Sequence, residues 1–113
     1  LLARALVHDP ATLVLDEPTA GLDLAARFDL VERLATLARA GRGIVLVTHR
    51  LGDIPAEMRR AVVLRAGRIV ADGPPEDVFT DRLLLAAYGT AIRVTAVDGR
   101  YLATPAPRPA PQP

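Results

Sequence analysis

Two continuous runs of apolar, mostly branched side chains, Thr12 to Leu15 and Ile44 to Thr48, bracket a stretch with helical spacing, and this order constrains the fold most. Neither run alternates with polar residues, so each is predicted to be a strand buried on both faces, as parallel strands are. Between them Asp23 is a plausible N-cap for a helix from Leu24 to about Ala40, with Leu24, Phe28, Val31, Leu34 and Leu37 on one face. Gly41 and Gly43 terminate it. Strand, helix, strand implies a right-handed parallel crossover in an α/β fold. Both strands then end at the same sheet edge, which is where such sheets bind ligands.

The remaining elements follow from breakers and caps. Residues 1 to 8 favour the end of a helix, stopped by Asp9-Pro10 because the proline disfavours a helical Asp9 and cannot donate a hydrogen bond. Asp53 to Arg60 is predicted as a short helix interrupted early by Pro55. Ala61 to Arg65 and Arg68 to Ala71 read as antiparallel strands joined at Ala66-Gly67. A short helix is expected over Glu76 to Phe79, then another capped by Thr80, containing Leu83, Leu84, Leu85 and Tyr88 and ended by Gly89. Ile92 to Val97 and Arg100 to Ala103 flank Asp98-Gly99, the strongest hairpin signal in the chain. From Thr104 onward, prolines alternating with small residues predict a disordered, polyproline-like tail.

Composition narrows the functional classes. A length of 113 residues at 50% hydrophobic content suits one small core. With 14 basic against 13 acidic residues, a formal charge of +1 creates no single-sign field, and no nucleic-acid partner is expected. The absence of cysteine excludes disulfides and thiolate metal sites and suits a reducing compartment. No apolar run approaches the roughly 20 residues needed to span a bilayer. A cytoplasmic protein is expected, with a membrane partner still compatible.

Chemistry concentrates at the ends of the two buried strands. Leu13-Val14-Leu15 delivers the adjacent carboxylates Asp16 and Glu17, followed by Pro18-Thr19-Ala20-Gly21-Leu22-Asp23. This string resembles the Walker B motif and D-loop of the ATP-binding cassette family. Val47-Thr48-His49-Arg50, at the end of the second strand, resembles that family's H-loop. The resemblance implies Asp16 as the ligand of Mg²⁺, directly or through water, since that ion prefers oxygen donors and keeps several waters. It implies Glu17 as the general base that orients the attacking water on ATP, and His49 as the contact to the γ-phosphate. Asp23 matches the D-loop aspartate, which lies near the partner subunit's nucleotide site, and it is equally a good helix cap. Pro18 is expected to keep Glu17 extended, so that alternation along the strand turns the two acids to opposite sides. His8 is assigned no role.

The resemblance covers roughly the first 80 residues, continuing less specifically through Val62 to Gly73 and Pro75 to Phe79. Residues 1–80 are therefore expected to be the carboxy-terminal part of an ATPase domain, 81–103 a family-specific helix and hairpin extension, and 104–113 the tail. Leu1 to Leu6 resembles the helix after the family's LSGGQ signature, but the signature is not in this chain. The chain contains no lysine, so the lysine of a Walker A loop is not in it either. Starting at Leu1 with helical spacing already under way, it is expected to be a partial P-loop NTPase fold that is inactive alone and marginally stable or oligomeric. For the parent protein the resemblance implies a head-to-tail dimer with a second ATPase subunit, permease subunits as partners, and a place at the inner face of the membrane. Likeness around Leu51-Gly52-Asp53-Ile54-Pro55 points to import of an iron complex or other metal species. The alternatives are a soluble, non-transport cassette ATPase of translation or DNA repair, or a truncated, non-catalytic product.

Overall fold

A computed structural model describes residues 12–107, and the expectations for residues 1 to 8 and 108–113 lie outside the described residues. The described residues divide into two compact units, one running to Met58 and including Asp98–Arg100, the other comprising Arg59–Val97 and residues 101–107.

The first unit is the expected crossover. Strand β1 (Thr12–Asp16) leads through helix α1 (Leu24–Arg39) to strand β2 (Gly43–Val47), and the two strands pair in parallel from Thr12↔Gly43 to Asp16↔Val47. Asp23 caps α1 as its composition requires, its Oδ1 accepting from the Ala26 amide at 2.8 Å. Leu13, Leu15, Val31, Leu34 and Ala35 are buried and form the core of this unit. Complete burial of a leucine such as Leu34 contributes about 1.5–3 kcal/mol, so these few side chains hold the crossover together.

Three expectations are corrected here. Neither strand is buried on both faces: the exposure of β1 alternates, Val14 being 71% exposed between the buried Leu13 and Leu15, and in β2 Val45 and Val47 are exposed as well. Among the described residues β1 has a single strand neighbour, and its other face has no covering layer to exclude water. The apolar stripe of α1 is buried only from Val31 onward, leaving Leu24 and Phe28 exposed. Instead of a helix from Asp53 to Arg60 there is a 3₁₀ turn at Leu51–Asp53 followed by a turn closed by the Met58 amide on the Pro55 carbonyl. Pro55 supplies no amide to continue a helix, and it biases Ile54 out of the helical region.

The second unit is built from two hairpins and two short helices. Strands β3 (Ala61–Arg65) and β4 (Arg68–Gly73) join through Ala66 and Gly67, whose φ values of 50° and 75° are those of the hairpin turn that matches strand twist. Arg60 clamps Asp72 with two hydrogen bonds of 2.8 and 2.7 Å. Helix α2 (Pro75–Val78) is one turn with proline at its start. Helix α3 (Asp81–Tyr88) is capped by Thr80, which accepts from the Leu83 amide, and is closed by Gly89 in the left-handed region. Strands β5 (Ile92–Val97) and β6 (Arg100–Pro105) complete it, with β6 running two residues beyond Ala103. Val78, Phe79, Leu84 and Ala87 are its buried centre, and Phe79 meets Tyr101 edge to face at 5.3 Å. No helix among the described residues is long and apolar enough to cross a membrane.

Candidate functional site

Parallel pairing fixes where the two strands deliver their last residues. Asp16 stands opposite Val47, and the Glu17 amide donates to the Val47 carbonyl at 2.8 Å, extending the ladder by one bond past the strand. The residues that follow, Glu17 on one side and Thr48-His49 on the other, therefore emerge at one edge. Glu17 Oε1 and His49 Nδ1 meet there at 2.7 Å, although the residues are 32 apart in sequence. The imidazole is exposed, and the Glu17 side chain retains 32% of its surface.

Glu17 is not extended. Its φ is 46°, and its carbonyl accepts from the Ala20 amide, so the chain turns sharply at the acid. The following proline biases Glu17 toward extended backbone, but the left-handed region is what Glu17 adopts. A non-glycine residue there stores about 1–3 kcal/mol of strain, and persists when its surroundings over-determine it. Here the ladder bond to Val47 holds one side, and the buried Pro18 and Thr19 hold the other. The different settings of the two acids thus come from this turn. Asp16 remains on the exposed, Val14 face of β1, whereas Glu17 reaches His49.

Asp23 is exposed on the same connection, its carboxylate engaged as the cap of α1. Beyond His49, Thr48 Oγ1 accepts from the Arg50 amide at 3.1 Å and shapes the loop. The sequence reading missed one cluster. Asp53 is 3% exposed, its Oδ2 accepting from the Thr19 hydroxyl at 2.6 Å and its Oδ1 from Arg27 Nη2 at 2.8 Å. Burial pushes this carboxyl up, but the hydrogen bonds from Thr19 and Arg27, with the charges of Arg27 and Arg50, outweigh it and hold the group below the ordinary carboxylate range. A lone acid between Gly52 and Ile54 gives no local signal of such burial, because its partners lie 34 and 26 residues upstream.

The arrangement has definite chemical capacity. Against an ionised carboxylate, Nδ1 of His49 is the donor, which leaves Nε2 to engage a ligand. Glu17 keeps acceptor capacity for the proton of a water molecule. Among the described residues there is no cluster of three or more His, Cys, Asp or Glu side chains able to cage a metal. A single exposed carboxylate at a strand end, Asp16, instead fits Mg²⁺, which is held by one or two carboxylates together with water and phosphate oxygens.

No family model matches the sequence. Relatives are nevertheless numerous. Over 106 residues, 92% of this chain, it is 43% identical to the hemin import ATP-binding protein of Nocardia farcinica, of which it covers 37%. Over 80 residues, 71% of the chain, it is 48% identical to the Nod factor export ATP-binding protein I of Neorhizobium galegae, of which it covers 23%. It is 44% identical over 80 residues, again 71% of the chain, to an energy-coupling factor transporter ATP-binding protein of Streptococcus pneumoniae, covering 29% of that protein. The chain thus spans well under half the length of these curated relatives. Its fold matches a metal-chelate type ABC transporter solved in an inward-facing conformation, with a TM-score of 0.75 over 91% of this chain and 42% of that one, at 24% identity. The chain belongs to the ATP-binding cassette family of transporter ATP-binding proteins and spans part of its ATPase domain.

Proposed function

We propose that this chain supplies the water-activating half of an MgATP hydrolysis site whose turnover drives transport across a membrane. The 2.7 Å contact between Glu17 and His49 at the carboxy edge of the parallel pair carries the reading. Glu17 is the general base, accepting the proton of the water that attacks the γ-phosphorus. His49, held by its Nδ1 contact to Glu17, faces the γ-phosphate and ties its position to that of the base. Asp16 holds Mg²⁺, which when bound neutralises charge on the phosphate oxygens. Asp23 stands near the nucleotide site of a second ATPase subunit while capping α1. Permease subunits complete the assembly, at the inner face of the membrane.

The transported species is the finer part of the proposal. Import of an iron complex is supported by the hemin import relative, which aligns over more of this chain than the Nod factor export relative does. In the full-length ATPase assembled with its permease, Glu17→Gln keeps shape while removing charge and basicity. Hydrolysis is expected to fall by about 10²- to 10⁴-fold with ATP binding retained. Unchanged turnover rejects the assignment. Stimulation of wild-type turnover by an iron chelate, and not by other solutes, tests the substrate.

A further inference from the structure

Resting on that reading of the site, we infer that Asp53 is a positioning residue: one buried carboxylate ties the loop after His49 to the loop after Glu17 and so sets the distance between them. Thr19, which donates to Asp53 Oδ2, lies two residues beyond Glu17, and Asp53 itself lies four residues beyond His49. Each reactive side chain is thus two to four residues along the chain from one end of the same hydrogen bond. The two strands bring the loops to one edge, but the ladder ends at the Glu17 amide. Past that point, the Thr19–Asp53 bond and the Glu17–His49 contact itself are the hydrogen bonds joining the two loops among the described residues. The exposed imidazole contact cannot hold its own geometry against water, whereas a bond buried at both ends can. Arg27 adds the third anchor, fastening the same carboxylate to α1.

A buried ion pair is costly to break from one side, and Arg27 Nε is already buried without a hydrogen-bond partner among the described residues. Removing Asp53 outright therefore risks the fold. Thr19→Val is the cleaner probe, because it keeps the shape and the Arg27–Asp53 pair and removes only the tie. In the full-length ATPase with its permease, kcat is expected to fall by about 10- to 100-fold, the range a displaced reacting group produces, with ATP affinity unchanged within about twofold. Thr19→Ser, which restores the hydroxyl, should recover most of the loss. In a His49→Ala background Thr19→Val should cost less than about twofold, because the geometry it protects is already gone. A loss of melting temperature with kcat intact, or an equal kcat loss in both backgrounds, would overturn the inference. Glu17→Gln in the same preparation separates the two levels. If it abolishes turnover while Thr19→Val leaves kcat unchanged, positioning alone fails; if turnover survives Glu17→Gln, the reading of the site fails and the inference with it.

Discussion

At the scale of single residues, Glu17 combines a partly exposed carboxylate with a left-handed backbone at φ 46°. A backbone chosen for stability would carry glycine there. Comparing Glu17→Gly with Glu17→Ala isolates the cost, since both lose the carboxylate and only one relieves the dihedral. Glycine is expected to be the more stable by roughly 1 kcal/mol, read as a difference in denaturation free energy. Equal stabilities would mean that the turn stores no strain. That Asp16, Glu17 and His49 share one edge was legible in sequence because each stands at the end of an apolar run, which a parallel crossover must bring there, while their roles came only from the family resemblance. The conformation of Glu17 was not, since the following proline favours extended backbone and the turn closed by the Val47 carbonyl and the Ala20 amide overrides that bias. Asp53 was illegible for a different reason: its burial depends on Thr19 and Arg27, contacts that no local pattern encodes.

At the scale of elements, the caps and turns carried the most reliable information, because each satisfies a local hydrogen-bonding need. Asp23, Thr80 and Gly89 bound their helices, and Ala66-Gly67 and Asp98-Gly99 close their hairpins at the expected positions. The segment after Asp53 failed because Pro55 dominates a stretch too short to nucleate a helix around it. Asp23 also shows how a cap and a proposed interface residue can be separated. Asp23→Asn keeps the acceptor for the Ala26 amide and should leave stability within a few tenths of a kcal/mol. Asp23→Ala should cost about 1 kcal/mol, measured by thermal or urea denaturation. If Asn matches the wild type in stability but slows turnover in the assembled ATPase, the charge of Asp23 acts beyond α1. If Ala costs nothing, the cap observed at 2.8 Å contributes little to the helix.

At the scale of the whole molecule, the surface of the β1–β2 pair determines how the 113-residue chain behaves by itself. Val14, Val45 and Val47 present branched apolar side chains on one face, with exposures of 71%, 49% and 49%, and each strand has an unpaired edge among the described residues. Parallel strands are ordinarily covered on both faces, and an open, apolar edge is a template for further pairing. A formal charge of +1 supplies almost no repulsion against it. Self-association of the isolated chain at micromolar concentration is therefore expected, seen as a concentration-dependent mass in sedimentation equilibrium. Val14→Glu combined with Val45→Lys puts opposite charges on register partners, so the pair tolerates them while the face loses its apolar character. That variant should shift toward monomer without losing the far-ultraviolet signature of α1. A wild-type chain that sediments as a clean monomer and melts in one sharp transition would contradict the expectation, because this apolar face would then have to be covered within the chain itself.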